Sequence, residues 1–386
     1  MATASEKSHI HHDISFSILS KLPLKSLKRF ACVSKPWSLL FENPIFMNMF
    51  RNNLMSTTNH SDACLFLKHM LRSRGYHYSM YLLSGERFQN KVKLDWPPLF
   101  QKDDSNVFIL GSCINGIVCL FRFDHITVVL WNPATHEFKV VPSDLIQPPP
   151  DYSTSETLHG FGYDHVQDDY KIIRSVNIFP YHTMFQRKSP DMLTRPNILW
   201  QIYSLRKNIW RKLNVNIPIR RHSKSGVGAE VYLNGVCHWL GRTDNEPFIV
   251  SFNLSREVFF TTPFPLEYVH GPFCFGRWNN HLVVLNESIA MISKDEKACS
   301  LHIYILGEVG VKNSWTKLFI IGPLPCLDFL IGAGKNGDIF FRKQDDQLAY
   351  FDLSTKKVEE IGVKGGLFSV HIGIYKENLQ IGCLNN

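Results

Sequence analysis

The sequence predicts a small all-α unit followed by an all-β domain that closes as a six-bladed β-propeller. Three observations carry that prediction. Apolar residues recur at helical spacing near the start of the chain, from Asp13 to about Phe50. From Ala63 onward the helical stripes give way to short β-rich runs separated by Gly, Asn, Asp and Pro. Those runs recur about every fifty residues with two hairpins to each period, which matches the length and strand count of propeller blades.

In the first segment, the carboxylate of Asp13 suits a helix N-cap, because it can accept hydrogen bonds from the free amides of the first turn. Ile14, Ile18 and Leu22 follow at helical spacing with Leu19 beside them, and Pro23 ends the helix at Leu22. Leu24, Leu27, Phe30, Ala31 and Val33 form a second stripe. Pro36 can open a third short helix, where a first-turn proline forfeits no helical hydrogen bond. Three short helices cannot hide Ile14, Leu19, Leu22, Leu24, Leu27, Phe30 and Trp37 in one interior, since below roughly 70–80 residues a single core rarely suffices. Either a partner protein covers the surplus, or these helices pack on the rest of the chain.

The segment resembles an F-box, the helical motif that docks on the Skp-type adaptor of cullin-RING ubiquitin ligases. The resemblance lies in Asp13-Ile14, Ile18-Leu19-Ser20-Lys21-Leu22-Pro23, Lys25-Ser26-Leu27, Arg29-Phe30, Cys32-Val33-Ser34-Lys35 and Trp37, in register without a gap. Where the family usually opens with Leu-Pro, this chain has Ile10 and His11. The resemblance implies adaptor contacts from Ile10, Ile14, Ile18, Leu19, Leu22, Pro23, Leu24, Leu27, Phe30, Val33 and Trp37, and through the adaptor an association with a cullin and a RING subunit. The expected organisation is a disordered N-terminus over 1–9, the F-box over 10–52, a linker over 53–62 and the β domain over 63–386.

Composition narrows the function. With 42 basic and 34 acidic residues the formal charge is +8, but the basic residues are scattered, so a mixed solvated surface is expected and nucleic acid is not. Nine cysteines occur singly with no Cys-x-x-Cys pair, which argues against a disulfide framework or a structural zinc. Reduced thiols fit the cytoplasm or nucleus. The N-terminus lacks the apolar core of a signal peptide, and no run of about 18 apolar residues marks a membrane span.

Within the β domain, Val129-Leu-Trp-Asn-Pro-Ala-Thr-His-Glu-Phe, Gln201-Ile-Tyr-Ser-Leu-Arg-Lys-Asn-Ile-Trp, Val250-Ser-Phe-Asn-Leu-Ser-Arg-Glu-Val-Phe and Ala349-Tyr-Phe-Asp-Leu-Ser-Thr-Lys-Lys-Val share one plan: apolar strand, polar turn, second strand. A second hairpin recurs before each unit, with Asn115-Gly116, Asn234-Gly235, Asn279-Asn280 or Asn336-Gly337 between apolar runs. Asn-Gly suits a type I′ turn, which needs positive φ at both central positions. The expected units are 63–98, 106–142, 157–213, 226–263, 272–320 and 328–363, and the strand-like tail from Phe368 would complete the first blade. A β-sandwich of similar strand count is the alternative. The irregular stretches are Asp144 to Glu156, Pro180 to Asn197 (read as an inserted loop) and Arg220 to Ser225. The middle one carries Tyr, Phe, Met and Arg, types enriched in interface cores. Tyr181, Phe185 and Arg187, with Arg220 and Arg221, are therefore candidates for target binding; the bland alternative is an insertion with no partner.

This region resembles the F-box-associated, kelch-like domain of the large plant F-box group that includes the S-locus F-box proteins. Gly111-Ser-Cys-Ile-Asn-Gly-Ile-Val-Cys, Leu130-Trp-Asn-Pro-Ala-Thr, Phe161-Gly-Tyr-Asp, Asp169-Tyr-Lys-Ile-Ile and Leu233-Asn-Gly-Val-Cys-His-Trp carry the resemblance. Together the two resemblances imply a non-catalytic substrate receptor of an SCF-type ubiquitin ligase. The alternatives are a non-degradative F-box scaffold and a propeller lectin or oxidase.

Chemistry-bearing residues give little support to the last alternative. His9, His11 and His12 precede the F-box, and no Gly-x-Ser-x-Gly elbow or His-Glu-x-x-His is present. Tyr232, Cys237 and His238 could hold a copper, but they sit on expected strands whose alternate residues face the blade interior. Trp131, Trp210, Trp239 and Trp315 read as core rather than sugar platforms, and Asp164 and Asp169 read as turn-shaping residues. No catalytic residue, metal ligand or cofactor is assigned.

Overall fold

The computed structural model describes residues 12–20, 35–39, 43, 45–46 and 49, and from 64 to 384 all but 73–75, 86, 103, 105–106, 123–126, 145, 182–196, 216–229, 243–246, 265–279, 286–287, 296, 312–313, 335–337, 354, 367–369 and 378–383. Near the start, α1 spans His12–Leu19 and is prolonged by the Ser20 amide donating to the Phe16 carbonyl at 2.9 Å. α2 spans Lys35–Ser38 with Pro36 in its first turn, as its missing N–H allows. The expected end of the first helix at Leu22-Pro23 lies outside the described residues.

The β domain is built from four-stranded antiparallel sheets in chain order. β1 (Cys64–Arg72), β2 (Tyr76–Ser84) and β3 (Asn90–Leu94) begin the first blade. β4 (Val107–Ile109), β5 (Val118–Arg122), β6 (Val128–Asn132) and β7 (Glu137–Val140) make the second. β8 (Tyr152–Asp164), β9 (Asp169–Pro180), β10 (Asn197–Ser204) and β11 (Ile209–Leu213) make the third. β12 (Val231–Leu233), β13 (Val236–Arg242), β14 (Pro247–Asn253) and β15 (Val258–Pro263) make the fourth. β16 (Asn280–Leu285), β17 (Ser288–Asp295), β18 (Ser300–Leu306) and β19 (Trp315–Ile321) make the fifth. β20 (Leu327–Ala333), β21 (Ile339–Lys343), β22 (Gln347–Asp352) and β23 (Lys357–Lys364) make the sixth. β24 (His371–Tyr375) then pairs with β1, so the tail completes the first blade and closes the ring.

The seams between blades hold the core. Apolar clusters join each blade to the next: Trp131 with Phe66 and Tyr375, Leu130 with Phe161, Trp200 with Trp239, Ile249 with Met291, Ile292 with Leu330, and Phe340 with Leu65. This pattern identifies six blades radiating from one axis rather than two facing sheets. The inner strands β8, β12, β16, β20 and β24 pack in succession, while β3 and β23 present mostly exposed residues at the rim.

Turn chemistry follows the sequence. Asn115-Gly116 and Asn234-Gly235 have φ of 48° and 78°, and 48° and 81°, as a type I′ turn requires. The strand-ending Asn132, Asn253 and Asp352 each accept a backbone N–H two or three residues on, folding the polar turn back at once. Three expectations are corrected. Asn280 opens β16 and pairs with Ser293, so Asn279-Asn280 is not the β16–β17 turn; that hairpin closes after Leu285. The third blade starts at Tyr152 rather than 157, because Tyr152–Glu156, read as irregular, pair with Val176–Pro180. Pro180 and Asn197, read as the ends of a loop, are likewise strand residues.

Candidate interaction surfaces

Ile14 and Ile18 lie four residues apart on α1 and are both 55% exposed, so they make one apolar stripe in water. Leu39 and Ile45 are also exposed. The unit is held from within by Phe16 meeting Phe46 edge-to-face at 5.1 Å, by buried Leu19, and by Asn43 Oδ1 accepting the amides of Ile45 at 2.9 Å and Phe46 at 3.3 Å. Of the expected adaptor contacts, Ile14 and Ile18 face outward and Trp37 is half-buried, whereas Leu19 supports the unit from inside. Ile10, Leu22, Pro23, Leu24, Leu27, Phe30 and Val33 lie outside the described residues. Leu39 and Ile45 are not distinguished by the sequence, because each is followed directly by further apolar residues, Leu40-Phe41 and Phe46-Met47.

Antiparallel order gives the disc two unlike faces. The first-to-second strand hairpins of the second to sixth blades and the third-to-fourth hairpins end on one face, and there the turns at Asn115-Gly116, 133–136, 165–168, 205–208, Asn234-Gly235 and 254–257 are short. The second-to-third strand connections and the links between blades end on the other face, and they include 95–106, 141–151, 181–196, 214–230 and 264–279. β1 begins and β24 ends on the short-turn face, since Cys64 pairs with Tyr375. The chain therefore enters the disc from its N-terminal unit on the face opposite the long connections. Tyr181, at the end of β9, is exposed on the long-connection face, its N–H donating to the Asp151 carbonyl at 2.7 Å. Phe185, Arg187, Arg220 and Arg221 lie outside the described residues, but the strand ends bracketing their segments belong to the neighbouring third and fourth blades on this same face.

The polar residues weighed for catalysis are tied into the scaffold. Asp164 Oδ1 accepts the amides of Val166 at 2.9 Å and Gln167 at 3.2 Å and the Ser255 hydroxyl, and Oδ2 accepts Lys171 Nζ at 2.7 Å. Burial pushes its carboxyl up, but these donors together hold it below the usual carboxylate range. Lys171 also donates to the Leu254 carbonyl at 3.0 Å, so the group links the third blade to the fourth. Asp169 accepts from the Ser204 hydroxyl and the Arg206 amide. Both aspartates therefore shape turns, as their sequence setting predicts, and Asp164 adds a tie across a seam.

Tyr232, Cys237 and His238 do not converge. Register pairs Tyr232 with Cys237 and Val231 with His238, which puts His238 on the opposite face of the sheet. Tyr232 donates to the Tyr163 carbonyl at 2.7 Å, and His238 Nδ1 meets Ser251 Oγ at 2.8 Å. Burial raises the Cys237 thiol and lowers His238 to about 4. Among the described residues no cluster of three His, Cys, Asp or Glu is placed to hold a metal.

The tryptophans divide. Trp131 and Trp239 are buried core, as expected. Trp210 and Trp315, on outer strands, are only partly buried and act as staples: their indole N–H groups donate to the carbonyls of Pro142 at 2.9 Å and Pro263 at 3.1 Å in the preceding blade's segment. Trp210 also carries the Arg174 guanidinium 4.0 Å over its ring.

The described residues form a closed propeller, entered from one face and carrying long connections on the other. The comparisons with known proteins place it in a family. Residues 8–48 match the F-box domain and residues 68–383 the F-box associated beta propeller domain, so the chain belongs to the F-box proteins with an associated propeller. It is 25% identical to the F-box protein CPR1 of Arabidopsis thaliana, with 97% of this chain and 90% of that protein aligned. It is 27% identical to an F-box/kelch-repeat protein of the same plant, over 79% of this chain and 77% of that one. The family consists of substrate adaptors that are generally non-catalytic.

Proposed function

We propose that this chain is the substrate-receptor subunit of an SCF-type ubiquitin ligase. Its N-terminal unit binds a Skp-type adaptor, which joins it to a cullin and a RING subunit, and its propeller holds a target protein. The observation that carries this reading is the exposed Ile14–Ile18 stripe inside a segment that matches the F-box. Such a stripe costs free energy in water and is best relieved by a partner. The mechanism is proximity: two grips on one chain raise the effective concentration of a target lysine near activated ubiquitin. No residue of the chain then needs to form or break a bond. The assembly would work in the cytoplasm or nucleus.

The test is capture of purified adaptor by the full chain carrying Ile14→Asp and Ile18→Asp. An interface anchor commonly contributes about 2 kcal/mol or more, so affinity should fall at least about thirtyfold. Both side chains are exposed, so the thermal transition should not move. Unchanged adaptor affinity would refute the assignment, and adaptor binding without target ubiquitination would favour a scaffold role.

For the target we propose the long-connection face, with Tyr181, Phe185, Arg187, Arg220 and Arg221 contributing. Its support is the shared end of the third and fourth blades and the exposed Tyr181. Replacing Tyr181, Phe185 and Arg187 by alanine should remove partners enriched with the wild-type chain in quantitative mass spectrometry while adaptor recovery stays constant. Recovery of the same partners in the same amounts would move the site elsewhere on the disc.

A further inference from the structure

The third blade departs from its neighbours in one respect. Its inner strand β8 has thirteen residues, whereas β20, the longest of the other inner strands, has seven. Six extra residues at the strand rise amount to roughly 20 Å. Because the β8–β9 turn at 165–168 is on the short-turn face, the surplus rises on the long-connection face. Burial agrees: the residues of β8 nearest Asp164 are buried, those nearest Tyr152 are exposed or half-exposed, and β9 grades in the same sense towards Pro180. The third blade thus raises a β-ribbon above the disc.

The ribbon has an open edge. β9 pairs with β8 on one side and β10 on the other, but β8 is the last strand of its sheet. Because the Tyr181 amide donates to the Asp151 carbonyl, residues 151 and 181 are a hydrogen-bonded pair. Pairing alternates along an antiparallel ladder, so Ser153 and Ser155 turn their backbone groups toward β9, and Tyr152, Thr154 and Glu156 turn theirs away. The Tyr152 amide is taken by the Pro149 carbonyl at 3.1 Å. Among the described residues no strand covers the groups of Thr154 and Glu156. Natural edges are usually blunted by lysine, proline or an inward charge. Here the sequence is Tyr152-Ser-Thr-Ser-Glu-Thr157, with neither lysine nor proline, and its one carboxylate is bonded by Arg174 at 2.6 Å. Tyr152 and Tyr181 are 43% and 56% exposed at the tip, and Asp151 stands beside them with an exposed side chain, whereas Asp144 lies toward the base of the ribbon, accepting from Gln201 at 2.7 Å.

We infer that this edge receives an extended segment of the target, which adds to β8 as a further strand. Main-chain hydrogen bonds to Thr154 and Glu156 supply the affinity, the tip tyrosines take an apolar side chain, and the exposed Asp151 carboxylate favours a basic residue in the segment. The inference rests on the reading that the long-connection face holds the target, and it names the form in which the target is held.

The test pans a phage-displayed library of random dodecapeptides against the full chain and measures the enriched peptides by fluorescence polarisation. Thr154→Pro removes the outward N–H without touching a β8–β9 hydrogen bond, and Thr154→Ala keeps the backbone intact. The expected result is a loss of at least tenfold for T154P, little change for T154A, and an equal loss when alternate peptide amides, but not the intervening ones, are N-methylated. Hydrogen exchange at the Thr154 and Glu156 amides should slow when peptide is bound, a readout that needs no variant to fold. Enriched peptides that bind T154P equally well, or no enriched peptide at all, would overturn the inference. Edge-to-edge dimers of the chain that T154P converts to monomer would overturn it in favour of a second copy. If the receptor reading alone is wrong, adaptor capture fails in the isoleucine variant's parent while the peptide results stand.

Discussion

A chain ending at Gly366 is expected to lose the folded propeller, not merely a tail. β24 is the inner strand of the first blade, paired with β1 from Cys64 to Lys68 and packed beside β20. Its removal bares both the first and the last blade and opens an unpaired edge on β1, whose Leu65, Phe66 and Leu67 are buried in the closed ring. Tyr375 lies in the seam with Phe66 and Trp131, and Ile372 in the seam with Ile331 and Phe340. Losing a buried aromatic and a buried isoleucine costs about 5–10 kcal/mol together, against a total stability of about 5–15 kcal/mol. Farther along, Leu384 is buried in the seam of the second and third blades, so the same deletion loosens a part of the disc distant from the closure. Circular dichroism and size-exclusion chromatography should show an aggregated product with no cooperative transition. A monomer with the melting temperature of the full chain would show that the ring closes without β24.

The closure was legible in the sequence because the first unit has only three strand-like runs and the tail from Phe368 supplies a fourth. The blade plan was legible for a related reason: Asn132, Asn253 and Asp352 sit at one point of the repeat and make the same turn. Residues fixed by local backbone chemistry therefore announced themselves. The ribbon of the third blade did not. Tyr152–Thr157 is polar, and a strand exposed on both faces has no apolar alternation to betray it; only its register with β9 makes it one. The same holds for Leu19 against Ile14 and Ile18. All three lie on one short helix, where Leu19 is buried and the other two exposed, and the helix is fixed by Phe16 meeting Phe46, thirty residues on. Trp210 and Trp315 read as core in the sequence but are only partly buried, and their role as staples rests on proline carbonyls in another blade, a contact no local pattern encodes.

The stability of the propeller is expected to peak in a narrow range near pH 8 and to fall steeply on acidification. His238, His281 and His371 are buried and held at about 4, and His159, set at a tilt against the rings of Trp200 at 4.8 Å and Trp239 at 5.3 Å, at about 3. Burial is the leading cause in each case, and Lys68 adds to it for His371. In the unfolded chain each titrates near 6.5. The folded values are depressed, so the unfolded state binds more protons over this interval. Stability is then complete above about 6.5 and is lost as pH falls toward 4. Four such groups set a ceiling of about 5 kcal/mol per pH unit, since each contributes at most about 1.4; relaxation around the rings reduces it, and Asp338, raised to about 6 by burial and by Asp352, opposes it. Lys68 extends the trend above neutrality. Desolvation holds its ammonium at about 7, against the pull of Asp104, so stability continues to rise from pH 7 as the unfolded lysine alone stays protonated. The thiols of buried Cys119 and Cys237 and of half-buried Cys113 set the upper limit. Burial raises all three, whereas unfolded thiols ionise near 8.5, so stability falls beyond that pH. Melting temperature from pH 5 to 9.5 should therefore rise, peak and decline. His281→Phe, which replaces a ring whose Nδ1 has no hydrogen-bond partner beside Phe329, should flatten the acid limb by about a quarter, and Lys68→Met should abolish the rise between pH 7 and 8. A melting temperature that is level from pH 5 to 8 would mean that these side chains are hydrated in the folded ring.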